Sequence, residues 1–284
     1  MRPLTFRAAL LWGLRLLREA KVPDPHVSAR ILLQSAASIS HQELITLLPK
    51  PILPPIFSYY RFLLKRRQRH EPLPYITGFY PFMDFHLLIR RGVFIPRPET
   101  EILVEVAEKK LKDKEGVVID VGTGSGAIAI GLARLCPKLS IIGIDISREA
   151  ISLARINARI NKVSDRVIFK RGDIRDIQLP KATCIVSNPP YIPTSQLPSL
   201  PLEIRLYEPI KALDGGEDGL EVIREIVRRA RDILLPGGFL LLEIGEGQSE
   251  KVRELLSKNG FKDIEVFRDL GKVERVISGV KCEE

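Results

Sequence analysis

"GVVIDVGTGSG", Gly116 to Gly126, decides how this chain is read. A continuous apolar run makes a buried strand, and the glycines after it permit a tight exit, which the helical pattern "AIAIGLARLC" continues. Working outward, "LSIIGIDIS" is a second strand, "REAISLARINARIN" a helix, and "RVIFKRGD" and "ATCIVSNPPY" two further strands with polar ends. "GGFLLLEIG" is another buried strand, followed by a helix over Ser249 to Asn259. "FKDIEVF" and "VERVISGV" are separated by a short turn and are expected to form an antiparallel C-terminal pair. Strands alternating with helices predict an α/β fold with a parallel, doubly wound sheet and right-handed crossovers.

Upstream the pattern changes. Residues 1–72 show no period-2 strand and predict a small all-α bundle. Asp24 before Pro25 reads as an N-cap with proline in the first turn, and "SHQE" (Ser40 to Glu43) as a capping box. "FSYYRFLLKRRQRH" reads as a helix ending in Lys65, Arg66, Arg67 and Arg69. Those cations are either a solvated helix end or a docking surface for an acidic partner.

Composition bounds the function. The 284 residues, 45% hydrophobic and 28% charged, describe a soluble globular protein, and the net charge of +9 favours an acidic or polyanionic partner or a solvated surface. Cys136, Cys184 and Cys282 are odd in number and far apart, supporting neither a disulfide framework nor a zinc site, so a reducing, cytoplasmic setting is expected. The start, "MRPLTFRAALLWGL", has Arg2 and Arg7 ahead of an apolar run, but Arg15 and Arg18 follow at once and the run is too short to span a bilayer. Leu10, Leu11, Leu14 and Leu17 recur at the spacing of an amphipathic helix.

Ligands of open parallel sheets bind at the carboxyl ends of the strands. Gly122, Thr123, Gly124, Ser125 and Gly126 leave the first strand, Asp145 ends the second and Asp173 follows the third. "GTGSGA" fits a dinucleotide fingerprint, with Asp145 placed for a ribose, and a plain strand-to-helix turn is also open. Asp120 ahead of the loop favours a cofactor carrying an amino group or a sulfonium, S-adenosylmethionine, over a pyrophosphate that it would repel.

"NPPY" (Asn188 to Tyr191) follows the fourth strand, at the same sheet edge. Two prolines cannot donate to a ladder, so this is a stiff loop. The Asn188 side-chain oxygen and the Pro189 carbonyl suit the two hydrogens of a planar amide or amino nitrogen, while Tyr191 offers a face to pack on it. Such a nitrogen is a poor nucleophile, and positioning supplies about 7–11 kcal/mol in favourable cases. An Asn-Pro-Pro-Tyr loop alone permits a nucleic-acid amino group (adenine N6 or guanine N2) as the acceptor.

Longer motifs narrow the reading. "EPLPYITG" (Glu71 to Gly78), "FIPRPETE" (Phe94 to Glu101), "YEPIKALDGGEDGL" (Tyr207 to Leu220) and "GGFLLLEIGEGQ" (Gly237 to Gln248), with the glycine loop and "NPPY", span nearly the whole chain. The sequence resembles the S-adenosylmethionine-dependent methyltransferases that modify a glutamine of peptide chain release factors (the HemK/PrmC type). That resemblance implies a Rossmann-like class I methyltransferase sheet over residues 91–284, a linker over 73–90 and a helical substrate-docking domain over 1–72. It implies transfer of a methyl group to the amide nitrogen of the glutamine in a Gly-Gly-Gln motif. Gly122 to Gly126, Asp145, Asp173, Ile174 and Asn188 would hold the cofactor; Asn188, Pro189, Pro190 and Tyr191 would hold the glutamine, with Phe94, Arg97 and Glu99 to Glu101 shaping the pocket. Ile174 stands where an aromatic flanks the adenine in some members. Neither a membrane nor direct nucleic-acid binding is expected, and "DGGEDG" (Asp214 to Gly219) lacks EF-hand spacing and reads as a turn.

Overall fold

The computed structural model describes residues 4–283, so Arg2 lies outside the described residues. The chain divides into two compact units, one running to Gly78 and taking in Pro201–Tyr207, the other comprising Phe79–Leu200 and Glu208–Glu284.

The first unit is helical. Its helices are α1 (Phe6–Glu19), α2 (Pro25–Ala37), α3 (His41–Leu47), α4 (Pro54–Gln68) and α5 (Leu73–Thr77), joined by the short Leu202–Tyr207, α9 in chain order. The Thr5 hydroxyl caps α1, and Ser40 and Glu43 form the expected capping box on α3. Asp24 stands at the N-cap of α2, but its backbone is left-handed and its side chain makes no cap, because capping needs an extended backbone there. Leu14 and Leu17 enter the core, whereas Leu11 faces solvent. Tyr60 fills the centre, its hydroxyl donating to the Ala29 carbonyl (3.1 Å), with Gly13 close against it. The basic end of α4 is not simply a solvated face. Arg67 is buried and donates to Glu203 (2.6 Å), Ser28 and the Glu71 carbonyl, and Arg66 grips Glu71 with two hydrogen bonds. These two cations are spent on holding the unit together.

The second unit begins with a hairpin, β1 (Phe79–Phe82) and β2 (Phe85–Leu88), in the stretch expected to be a linker. Helix α6 (Glu99–Leu111) leads into β3 (Gly116–Val121), α7 (Ala127–Leu135), β4 (Leu139–Asp145), α8 (Arg148–Ile160), β5 (Val167–Arg171) and β6 (Ala182–Ser187). After α9 come α10 (Glu221–Ile233), β7 (Leu234–Glu243), α11 (Ser249–Lys258), β8 (Phe261–Arg268) and β9 (Glu274–Lys281). The sheet order is β5-β4-β3-β6-β7-β9-β8, parallel from β5 to β7, with the expected antiparallel β8–β9 pair at the edge. Chain order reverses between β3 and β6, which places a switch point there. Alternate strand residues Ile119, Ile185, Leu240 and Leu242 pack on Ile223, Ile226, Val227 and Ala230 of α10 and on Val252 and Leu256 of α11. Burying each such side chain contributes about 1.5–3 kcal/mol, so the strand ends are held on a stiff platform. Among the described residues no helix is long and apolar enough to cross a membrane.

Candidate active site

The site is built at the carboxyl ends of β3 and β6, which pair in register with Val121 beside Ser187. The Ser187 hydroxyl donates to the Val121 carbonyl (2.7 Å), tying the two strand ends together just before their loops diverge. Gly122, Gly124 and Gly126 all have positive φ (72°, 55° and 86°), a backbone that L side chains rarely adopt. A Cβ on Gly122 would enter open space whose nearest atom is the Asn188 carbonyl oxygen, 4.0 Å away. The glycine loop and the Asn-Pro-Pro-Tyr loop therefore face one another across a cradle that side chains would fill.

The loop's own hydrogen bonds decide what it can hold. Gly122 and Thr123 donate their N–H groups to the Ile144 carbonyl, Gly124 to Asp145 Oδ2 (2.9 Å) and Gly126 to the Thr123 carbonyl. A pyrophosphate-binding turn needs such N–H groups pointing at the ligand. Here they are satisfied inside the protein, which argues against the dinucleotide reading. Thr123 also spends its hydroxyl on Asp120 Oδ2 (2.6 Å), so its side chain braces the loop from below.

Asp120 is fully buried; Ala129 N–H also donates to its Oδ2, while Oδ1 has no hydrogen-bond partner. Burial pushes its pKa up to about 7. The sequence placed Asp120 as a charge facing a cationic group; the structure sets it beneath the loop instead, where it can act only through its field. Asp145 is half-buried and accepts from Gly124 and from Ser147 (2.8 Å); burial raises its pKa. Asp173 pairs with Arg175 (2.5 Å), a hydrogen-bonded ion pair that lowers the carboxyl's pKa. The Ile174 side chain belongs to the hydrophobic core, so it presents no face for an adenine to stack on.

Asn188 is held by partners that spacing does not disclose. Its Nδ2 donates to Thr100 Oγ1 (3.0 Å), whose hydroxyl donates to Glu243 Oε2 (2.8 Å). Tyr191 points its hydroxyl at Glu243 Oε1 (3.4 Å), and proximity to this carboxyl adds to burial in raising the phenol's pKa. Gln248 donates to the Tyr191 carbonyl (2.9 Å) and accepts from Gly245 N–H (2.9 Å), pinning the loop to the end of β7. The turn after Asp214 supports the other side: Ile192 N–H donates to the Leu213 carbonyl, Gly215 N–H to the Ile192 carbonyl, and Gly219 packs against the Tyr191 carbonyl. Pro189 is buried and Pro190 and Tyr191 are half-buried.

Phe94 is half-buried with the Arg97 guanidinium 4.8 Å above its ring. Arg97 donates to Glu208 (2.5 Å), which also accepts from Ile95 N–H. Glu101 accepts from Met83 N–H (2.8 Å) and so anchors the β1–β2 hairpin. Thr100 falls in the Glu99 to Glu101 stretch expected to shape the pocket, whereas Glu208, Glu243 and Gln248 are visible in the sequence only as letters inside longer motifs.

Comparison with known proteins settles the family. A family model described as "PrmC N-terminal domain" matches residues 8–78, and one described as "Methyltransferase domain" matches residues 112–260. The release factor glutamine methyltransferase of Geobacter sulfurreducens is 38% identical over 276 residues, 97% of this chain and 96% of the relative. The chain belongs to the release factor glutamine methyltransferase family. Its counterpart from Moorella thermoacetica is 37% identical over 284 residues, covering 99% of this chain and all of the relative. Among solved structures, a methyltransferase from Pyrococcus furiosus superposes with a TM-score of 0.54 at 18% identity, over 69% of this chain and 89% of that one. A ribosomal protein L11 methylase from Lactobacillus delbrueckii gives 0.51 at 22% identity, over 71% and 90%. Both show the methyltransferase fold of this family member. That fold and family take S-adenosylmethionine as cofactor, and the glycine cradle with an unpaired buried Asp120 oxygen beneath it fits a cationic ligand.

Proposed function

We propose that this protein transfers a methyl group from S-adenosylmethionine to the side-chain amide nitrogen of the glutamine in the Gly-Gly-Gln motif of peptide chain release factors. The observation that carries this is the hold on Asn188: its Nδ2 is committed to Thr100, which leaves Oδ1 as an acceptor on a loop whose Asn188 backbone carbonyl faces the glycine cradle. The full-length relatives bear the corresponding name.

When bound, S-adenosylmethionine supplies an electrophilic methyl carbon on a sulfonium. Gly122 and Gly124 would leave room for the cofactor's methionine end, Gly126 lets the loop close against Ile130, Ala154 and Phe169, and Asp145 has lone pairs left, after Gly124 and Ser147, for ribose hydroxyls. Thr123 and Ser125 shape that loop, while Asp173 and the backbone of Ile174 would hold the adenine side. Asn188 Oδ1 and the Pro189 carbonyl accept the two amide hydrogens and aim the nitrogen. Pro190 stiffens the loop, Tyr191 and Phe94 pack on the planar amide, and Arg97, fixed by Glu208, holds Phe94 in place. No strong base is required ahead of transfer, because positioning favours attack; the nitrogen–methyl bond forms as the carbon–sulfur bond breaks to leave a neutral thioether, and one amide proton is then released to solvent.

The helical unit docks the release factor in this reading. Tyr59 and Phe62 of α4, both exposed and stacked 6.2 Å apart beside exposed Arg61 and Lys65, suit a protein surface with acidic groups. The cytoplasm is the assigned compartment, in keeping with the free cysteines Cys136, Cys184 and Cys282. Direct nucleic-acid binding forms no part of the mechanism.

Steady-state methylation of a release factor by Asn188→Ala tests the amide clamp. At saturating substrate we expect kcat to fall by about 100-fold or more, with the KM for S-adenosylmethionine changed much less. Turnover near that of the wild type would sink the mechanism.

A further inference from the structure

The chain Asn188–Thr100–Glu243 contains one atom that can point only one way at a time. Thr100 has a single hydroxyl proton and sits between an amide and a carboxyl group, 3.0 Å from Asn188 Nδ2 and 2.8 Å from Glu243 Oε2. Glu243 ends β7, is buried, and lies far in sequence from both. As a carboxylate it only accepts, so Thr100 must donate to it. The Thr100 oxygen then only accepts, so Asn188 must present its NH2 and leave Oδ1 for the substrate. Once Glu243 carries a proton, the whole chain can reverse. Glu243 then donates to Thr100, Thr100 donates to Asn188 Oδ1, and the Asn188 NH2 faces the substrate. Two donors would meet there, and an amide hydrogen would have no acceptor.

Building on the amide-clamp reading, we propose that Glu243 is a positioning residue that sets, through Thr100, which end of the Asn188 amide faces the substrate. It touches neither substrate nor cofactor in this role. Every group facing it bears on its charge. Glu99 on α6 opposes ionisation, while Thr100 on α6, Tyr191 after β6 and Arg275 on β9 favour it; burial outweighs them and pushes Glu243 up to about 7. The polarity of the site therefore switches within the neutral pH range, and the active form is the ionised one.

Two measurements test this, and the first needs no substrate. The side-chain NH2 signals of Asn188 in a 15N-labelled protein, identified by their loss in Asn188→Ala, should shift with pH along one titration curve centred near 7. In Glu243→Gln that curve should vanish. A flat Asn188 signal from pH 5.5 to 8.5, or an unchanged curve in Glu243→Gln, would overturn the proposal even if the assigned substrate were wrong. The second is the pH profile of kcat on a release factor. Wild-type kcat should drop about tenfold for each pH unit below the Glu243 pKa. Glu243→Gln should lose that dependence and run at least tenfold slower at pH 8, with cofactor KM within twofold. Thr100→Val should match it, Thr100→Ser should recover most of the loss, and the double variant Glu243→Gln/Thr100→Val should be no slower than Thr100→Val alone. A merely structural Glu243 would give an additive double variant that keeps the wild-type pH profile, which would refute the positioning role. If the wild type left the release factor unlabelled, the functional reading would fail while the Asn188 titration still decided this inference.

Discussion

Asn188, Glu243 and Asp120 are three polar side chains inside an apolar sheet edge, and each has a different hold on its surroundings. Asn188 is kept by one donor bond and offers its oxygen; Glu243 is surrounded by donors; Asp120 has one oxygen satisfied and one without a partner. Burial raises the Asp120 pKa to about 7, above the roughly 3.9 of an unfolded aspartate, so the folded protein holds that proton more tightly. The stability this provides is fully present below pH ~4 and is lost as pH climbs through about 7. Relative to Asp120→Asn, the wild type should therefore be more stable at pH 5 than at pH 8 by chemical denaturation. A pH-independent difference would show that Asp120 does not titrate in that window. Glu243 titrates similarly in both proteins and cancels from the comparison.

At the level of elements, the site rests on a few close approaches. Gly219 has φ of +78°, and a Cβ there would come within 2.4 Å of the Tyr191 carbonyl and 2.8 Å of Gln248 Nε2. Gly219→Ala should displace the Asn-Pro-Pro-Tyr loop and break the Gln248 bond, lowering kcat at least tenfold with the circular dichroism spectrum preserved. In the helical unit, Arg67→Ala would strip Glu203, Ser28 and the Glu71 carbonyl of a donor at once. We expect a loss of about 3 kcal/mol, read from the urea unfolding of that unit, and only partial relief from Arg67→Lys, which cannot reproduce the fork. The elements themselves were largely legible: β3, β4 and the end of β7 are apolar runs closed by glycine or acid, β5 runs into Gly172 and Asp173, β6 runs into the Asn-Pro-Pro-Tyr loop, and the β8–β9 pair is closed by a short turn. The hairpin β1–β2 escaped because strands of four residues are too short to show a period. Helix α6 escaped because its first turn lies inside "RPETE", which reads as a motif before it reads as a helix.

For the whole molecule, the sheet brings together residues that the chain keeps far apart. Thr100, Asn188, Glu243 and Gln248 meet because α6 begins, and β6 and β7 end, at one edge, and no local spacing predicts that meeting. The signal that existed was a single carboxylate, Glu243, closing the apolar run "FLLLE". The glycine loop, Asp145 and "NPPY" were legible because each follows its strand directly, whereas their supports were not. Ion pairs such as Arg66–Glu71 and Arg67–Glu203 sum to zero, so the net charge of +9 is an excess carried by other cations, among them exposed Arg61 and Lys65. Transfer of a radiolabelled methyl group from S-adenosylmethionine decides the acceptor. Purified release factor, the same factor with its Gly-Gly-Gln glutamine changed to alanine, and duplex DNA would be offered side by side. We expect label on the unaltered factor alone; label on the DNA, or on both forms of the factor, would rule out the glutamine as acceptor.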